Sequence, residues 1–476
     1  MNRVEGENQG VKIGLEIHCQ LTALKTKLFC GCSSDYRGRE PNELVCPVCF
    51  GLPGSLPVVN GRAVEYAIRI ADALGCKVAG ETTFYRKNYF YPDLTKNFQI
   101  SQYDKAGGVP IASGGSVQVG GKKVRIRRIQ LEEDPGKLTY EGTIEKSSYS
   151  LVDYNRAGIA LVEIVTEPDF GSAREAKVFL ETLRTTVEAL GVSDGELEGA
   201  MRCDANVSVA GGGRVEVKNI SSFKEVEKAL NYEVLRQGTF AGTESGAANE
   251  TRHWDERRSI TISLRLKEGE QDYRYFPEPD LPAVTIGAEF LEKVRGAAPE
   301  VQSARADRYV RDYRLSTQVA GELSRDETLS RFFEETAKIF GKPTEIANWL
   351  LGEFRSPVRS KLAGESPPVT PAGLSELLVM LDGGELTRPQ ARELFREMVA
   401  SGRRPSELRK GGAREAVDED SISKVVSQLL SEGDVAADAK KNPKAFNYLI
   451  GQVLRLEPGA DPKLVAKTLV RMLRKR

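Results

Sequence analysis

Near the start of the chain, Val11, Ile13, Leu15 and Ile17 alternate with Lys12, Gly14, Glu16 and His18. A period of two suits a β-strand with one dry face and one polar face, because successive side chains leave a strand on opposite sides. The fold must therefore contain a sheet packed on one side against an apolar layer. Glu16 and His18 share the polar face, roughly 7 Å apart. The chain has two histidines, and one of them lies here beside a carboxylate. Alone, this is the wet side of an ordinary strand; its weight grows as later strands repeat the arrangement.

Residues 116–129 predict a β-hairpin turning at Gly120-Gly121. In residues 202–209, Arg202, Asp204, Asn206 and Ser208 share a face, and in residues 215–220 Glu216 and Lys218 do. Residues 260–266 alternate strictly. Between these strands, Asn60 caps a helix over 61–74 that Gly75 stops, Ser172 opens another that ends near 191, and Ser222-Phe223-Lys224-Glu225 is a capping box for a helix to about 238. Residues 1–295 are thus expected to form an α+β domain on an antiparallel sheet. Past residue 298 the alternation stops, and helical patterns over 329–339 and 344–354 predict an all-α domain, 296–410. A polar stretch, 403–420, containing Gly411-Gly412, reads as a hinge to a tail domain, 415–476.

The 476 residues carry 68 basic and 68 acidic side chains, so no whole-chain field selects nucleic acid or membrane. The first ten residues lack the apolar core of a signal peptide, and no run approaches 18 apolar residues, which points to the cytoplasm and away from a membrane. Four of the seven cysteines form two close pairs, Cys30-Gly31-Cys32 and Cys46-Pro47-Val48-Cys49, with thirteen residues between them. Two thiolate pairs on turns can complete a tetrahedron around Zn²⁺, and four cysteines leave no open position, so a structural knuckle over 30–49 is expected. Cys19, Cys76 and Cys203 read as small core residues.

Glu132-Glu133-Asp134 precede Pro135-Gly136. Three adjacent carboxylates are either a solvated loop or a site for a hard cation such as Mg²⁺. Glu163 stands inside the apolar run 161–165, where it needs a metal, a cation or a proton. The stretch Arg86-Lys87-Asn88-Tyr89-Phe90-Tyr91-Pro92-Asp93-Leu94 mixes cations with aromatics, which suits a phosphate or a base as well as plain core. Gly121-Lys122-Lys123 fails the phosphate-loop pattern. Between Asp438 and the end, ten Lys/Arg stand against three Asp/Glu, a terminal module suited to a phosphate backbone.

Together these motifs, with Ser150-Leu151-Val152-Asp153-Tyr154-Asn155-Arg156 and Gln271 to Asp280, resemble the B subunit of the glutamine-dependent aspartyl/glutamyl-tRNA amidotransferase, the GatB family. The resemblance runs through essentially the whole chain, including Gly451-Gln452. It implies a glutamine-synthetase-like catalytic cradle, a helical domain and a YqeY-like tail. The implied activity uses ATP to phosphorylate the side-chain carboxylate of Glu-tRNA(Gln) or Asp-tRNA(Asn), after which ammonia displaces phosphate. By the same resemblance His18, Glu133 and Glu163 match Mg²⁺ ligands, Glu16 a second metal position, and Lys87 a phosphate contact. Asp204, Glu216 and Lys218 lie in matching nucleotide-site motifs. Cys30, Cys32, Cys46 and Cys49 match the zinc knuckle that some members carry. Lys463, Lys467, Arg471 and Arg474 are the expected tRNA contacts.

Two departures flank these residues: Gly158-Ile159-Ala160-Leu161 replaces the family's Gly-x-Pro-Leu, and Pro135 stands where a small residue is usual. No Gly-Gly-Ser-Ser-Gly-Gly run of the amidase type is present, so a glutaminase A subunit is the expected ammonia source, clasped by a small C subunit. The cognate non-discriminating aminoacyl-tRNA synthetase is a further expected partner. The archaeal E-subunit relative carries an inserted domain for which this chain has no room. Two rival readings are a non-catalytic zinc-containing tRNA scaffold and a metal-dependent hydrolase. The acid inside an apolar strand argues against the first, and the lack of an obvious nucleophile against the second.

Overall fold

The alternating segment becomes β1 (Lys12–Gln20), the middle strand of a nine-stranded sheet. The computed structural model describes residues 10–119, 121–140, 147–210, 212–240, 249–266, 273–353, 369–409, 418–431, 443–457 and 460–475. In chain order the further strands are β2 (Lys77–Val78), β3 (Glu81–Thr82), β4 (Tyr85–Asn88), β5 (Phe98–Ser101), β6 (Ala112–Val119), β7 (Lys122–Glu133), β8 (Lys137–Tyr140) and β9 (Ser150–Asp153). They continue with β10 (Ala160–Thr166), β11 (Met201–Ser208), β12 (Val215–Ile220), β13 (Glu250–Asp255), β14 (Ile260–Leu266), β15 (Phe276–Pro277) and β16 (Val284–Thr285). The large sheet runs β14-β13-β12-β11-β1-β10-β7-β6-β2, and β15-β4-β5 form a separate small sheet.

The expectation of an antiparallel sheet needs one correction. β12 and β13 pair in parallel, while the other neighbours in the large sheet are antiparallel. A parallel pair needs a crossover, which α3 (Phe223–Phe240) supplies. β13 gave no strand signal because Glu250-Thr251-Arg252-His253-Trp254-Asp255 holds one large apolar residue.

α1 (Gly61–Ala73), α2 (Ala173–Ala189), α3 and α4 (Ala288–Ala297) supply the apolar layer that β1 demands. Ile13, Leu15, Ile17 and Cys19 are buried in one cluster with Ile68 of α1, Phe179 of α2 and Leu230 of α3. Each such side chain contributes about 1.5–3 kcal/mol by leaving water. Cys76 and Cys203 join the same core, as their isolation in sequence suggested. The helix starts follow their caps: the Asn60 side chain accepts from the Arg62 amide at 3.0 Å and Ser172 from the Glu175 amide at 3.3 Å. The capping box at Ser222 is half made. Ser222 Oγ accepts from the Glu225 amide, but the Glu225 carboxylate takes the Trp254 indole N–H at 3.0 Å.

The chain divides into two compact units, residues 1–301 and 302–476. The second is helical throughout its described residues: α5 (Gln302–Tyr313), α6 (Thr317–Ser324), α7 (Glu327–Ile339), α8 (Pro343–Gly352), α9 (Pro371–Asp382), α10 (Arg388–Ser401) and α11 (Pro405–Arg409) surround Phe333, Leu374 and Phe395. α12 (Glu419–Ser431), α13 (Pro443–Leu456) and α14 (Pro462–Lys475) have their own core of Ile422, Val453 and Leu469. The stretch read as a hinge contains α11, whose Pro405 is buried; Gly411-Gly412 lie outside the described residues, as do Gln271 and Asp272.

Phe179 packs edge-on against Phe170 at 5.3 Å between α2 and the sheet. Phe179→Ala is expected to destabilise the first unit by about 3–5 kcal/mol, read as a lowered denaturant midpoint, because the surrounding side chains cannot fill the space.

Candidate functional site

The strand register assembles the polar face. His18 lies opposite Glu163 of β10 on one side and Arg202 of β11 on the other, and Glu16 lies opposite Asp204. Glu163 in turn lies opposite Gln130 of β7. One ligand atom from each of Glu16, His18 and Glu163 falls within 4.8 Å of the others. His18 Nε2 is 3.6 Å from Glu163 Oε2, and Arg128 Nη2 is 3.3 Å from Glu163 Oε1. One row further, Lys218 Nζ bridges Asp204 Oδ2 at 2.9 Å and Glu216 Oε1 at 3.3 Å.

Charge is concentrated here. Burial and the neighbouring Glu163 charge push Glu16 up to about 7, against the pull of His18 and Lys218. Burial opposes a charged His18, yet the hydrogen bond and charge of Glu163 outweigh it and push the imidazole up to about 9. Burial would likewise raise Glu163, but the His18 bond, with His18, Arg128 and Lys87 charge, lowers it to about 2. Acids that repel one another across a buried face are relieved by a cation. Adjacent ligands of octahedral Mg²⁺ stand about 3 Å apart and opposite ones about 4.2 Å, so Glu16, His18 and Glu163, with ligand atoms within 4.8 Å of one another, would have to draw together around such an ion.

Glu133 is not brought to this group. β7 pairs Glu132 with Leu161 and Glu133 with Ala160, so strand parity turns Glu132 to the Glu163 face and Glu133 away. The Glu133 carboxylate instead meets Lys96 Nζ at 2.6 Å and accepts from the Ile100 amide at 2.9 Å. Glu132, which neither periodicity nor resemblance singled out, is held by Gln130 at 2.8 Å, Ser101 at 2.5 Å and Gln99 at 3.3 Å. Burial and the Glu163 charge raise its carboxyl. Counting alternation back from Glu133 through Leu131 and Ile129 would have found it. The charge of Lys87, on β4 of the small sheet, lowers both Glu132 and Glu163.

The four paired cysteines converge, with their sulfurs within 4.8 Å of one another and Cys46 Sγ to Cys49 Sγ at 3.8 Å. A tetrahedron with metal–sulfur bonds of about 2.3 Å has edges of about 3.8 Å. The Cys46 amide donates to Cys49 Sγ at 3.2 Å, and all four thiols are free. The Cys30 thiol donating to Cys49 holds the Cys49 thiol well down, at about 4, against its burial. Buried Lys27 sends its ammonium to Leu44 O at 2.8 Å and Cys49 Sγ at 3.7 Å, a charge that suits a thiolate cluster.

In the tail, Lys463 and Lys467 are exposed on α14, one turn apart. Arg471 is committed to Glu419 at 2.7 Å, and the Arg474 side chain lies outside the described residues.

Residues 11–292 match the model of the GatB/GatE catalytic domain, and residues 331–473 match the GatB domain model. The B subunit of the aspartyl/glutamyl-tRNA(Asn/Gln) amidotransferase of Sulfolobus acidocaldarius is 45% identical over 97% of this chain and 99% of its own length. Its counterpart in Thermotoga maritima is 43% identical over 97% and 98%. The chain belongs to the GatB family of tRNA-dependent amidotransferase subunits. Of its two departures from the family pattern, Pro135 follows β7 and Ala160 opens β10, and the chain beside each is well tied. Gly158 N donates to Asp134 O at 2.9 Å, Leu28 N donates to Gly158 O at 2.9 Å, and Pro135 O accepts from Arg156 Nε at 2.9 Å. Asp134, fully buried, is fastened by Gln20 at 2.6 Å and Arg202 at 2.7 Å. Among the described residues no helix is long and apolar enough to cross a membrane.

Glu16 and His18 bind their protons more tightly when folded, so each adds stability at low pH that is lost as pH rises. For metal-free protein the losses fall between 4.5 and about 7 for Glu16, and between 6.5 and about 9 for His18. Urea midpoints without metal are expected to decline over these windows, and His18→Asn is expected to flatten the upper one.

Proposed function

We propose that this chain activates the side-chain carboxylate of Glu-tRNA(Gln) or Asp-tRNA(Asn) with ATP and delivers it to ammonia. The observation that carries the reading is the buried Glu163 between His18 and Arg128, within metal-binding reach of Glu16. A carboxylate is a poor acceptor for ammonia until one oxygen becomes part of a leaving group. Its oxygen attacks the γ-phosphorus and ADP departs; ammonia then adds to the acyl carbon and phosphate departs. Glu16, His18 and Glu163 would hold Mg²⁺, joined by Glu132 from the same face in place of Glu133. Bound there, Mg²⁺ supplies the positive charge that phosphoryl transfer demands. The His18 imidazole must give up its proton to serve as a ligand. Lys87 offers a point charge to the transferred group, while Asp204, Glu216 and Lys218 form the neighbouring nucleotide contacts.

The four-cysteine cluster suits a structural Zn²⁺. Ammonia comes from a glutaminase A subunit, with a small C subunit completing a cytoplasmic heterotrimer that also meets the cognate synthetase. Lys463 and Lys467 are the tail's tRNA contacts, while Arg471, already paired, is a weaker candidate.

Reconstituted A, B and C subunits carrying Glu163→Gln should lose amide formation by about 100-fold or more with glutamine and with free ammonia alike. Unchanged amidation with both donors rejects the metal site. Replacing Lys463 and Lys467 together by Gln should weaken tRNA binding and lower the slope of log affinity against log salt by about 1–2, seen in filter binding across a salt series.

A further inference from the structure

Four tyrosines stand in an unbroken run beside the carboxylates. Tyr89 meets Tyr273 edge-on at 5.8 Å, Tyr273 meets Tyr275 at 5.9 Å, and Tyr275 stacks on Tyr103 at 4.5 Å and 16°. The two ends of this ladder hold cations. Lys87 Nζ lies 5.1 Å from the Tyr273 ring centre and 5.6 Å from that of Tyr89, and the Arg128 guanidinium lies 5.6 Å from that of Tyr103. Arg128 touches Glu163, and Lys87 sits in register with Gln99, which binds Glu132. Among the described residues no carboxylate forms an ion pair with Lys87.

The backbone is shaped to keep this run in place. Arg274, between Tyr273 and Tyr275, has φ +44°, a left-handed setting that costs a non-glycine residue about 1 kcal/mol. Its carbonyl accepts from Asn88 Nδ2 at 2.8 Å, which staples the Tyr273–Tyr275 segment to β4 beside Lys87. At the other end Gly108 passes under Tyr103, where an added Cβ would come within 2.6 Å of the Tyr103 carbonyl. Strain of this kind persists only where the surroundings over-determine it.

Resting on the phosphoryl-transfer reading above, we propose that the ladder is a positioning device: Tyr89 and Tyr273 hold the Lys87 ammonium by their ring faces, without a direct carboxylate ion pair, and so leave it able to meet the transferred phosphoryl group. A carboxylate partner would hold the ammonium equally well but cancel its charge. Ring faces attract a cation through their quadrupole without neutralising it. Tyr275 and Tyr103 extend the run to Arg128, so one aromatic wall sets both cations that face Glu132 and Glu163. The phenolic hydroxyls of Tyr89 and Tyr273 have no part in this, since the face of a phenyl ring serves as well.

The test has two readouts on the full chain. With lysines reductively dimethylated with ¹³C, the Lys87 methyl signal, assigned by its loss in Lys87→Arg, should show an upfield ring-current shift. Tyr273→Phe should keep that shift and Tyr273→Leu should remove it. In the reconstituted complex with free ammonia, Tyr273→Leu should lower kcat about 10-fold or more with little change in the KM for tRNA, and Tyr273→Phe should stay within about 2-fold. Added to Lys87→Met, Tyr273→Leu should cost nothing further, because both remove one interaction. An unshifted Lys87 signal, or costs that multiply in the double variant, overturns the ladder's role. A wild-type complex that makes no amide overturns the functional reading instead, and the methyl spectrum still decides the geometry.

Discussion

Everything at the site follows from putting an acid in the middle of a sheet. β10 is buried along its whole length, and Glu163 is 5% exposed. An unpaired carboxylate there would cost several kcal/mol or be neutralised. The fold answers by setting His18 opposite it, Arg128 beside it and Lys87 within electrostatic reach. His18 and Arg128 come from β1 and β7, the two strands that pair with β10, while Lys87 comes from β4 in the separate small sheet. A slip of one residue in β1 would send His18 into the apolar layer and Ile17 onto the polar face.

That constraint explains what was legible in the sequence. Period-two alternation located β1, β11, β12 and β14, and side-chain caps located the starts of α1 and α2, because both signals are local. The strand alternation also showed that Glu16 and His18 share a face. The site itself is not local. Glu132 and Glu133 are adjacent acids whose roles differ only through the pairing of β7 with β10, and a resemblance alone assigned the wrong-facing one to the His18–Glu163 group. β13 stayed hidden because its place is set by the crossover of α3 rather than by its own pattern. The tyrosine ladder joins residues nearly two hundred positions apart, beyond the reach of any periodicity.

The cysteine cluster belongs to the same logic. Its loop is joined to the acidic loop through Lys27, which touches Cys49 and the Tyr154 carbonyl, and through Asn155, which takes the Leu44 amide and donates to Glu40 O. Arg156 then fastens Pro135 and Gly136. The turn that carries the four cysteines thereby buttresses the segment that follows Glu132 and Glu133. Rigid support behind a site is what lets its charged groups keep their distances without reorganising.

The central position of β1 also has a consequence for how the chain is made. Its neighbours β10 and β11 begin at Ala160 and Met201, so neither edge of β1 can be covered until well over a hundred further residues exist. At ribosomal speeds of about 5–20 residues per second, that leaves both edges of this strand open for roughly seven to thirty seconds. During that interval Lys12, Glu16 and His18, spaced between the aliphatic residues, interrupt what would otherwise be an adhesive β-segment. Glu16 and His18, which lie on the polar face of the finished sheet, are thus also side chains that make the uncovered strand less adhesive.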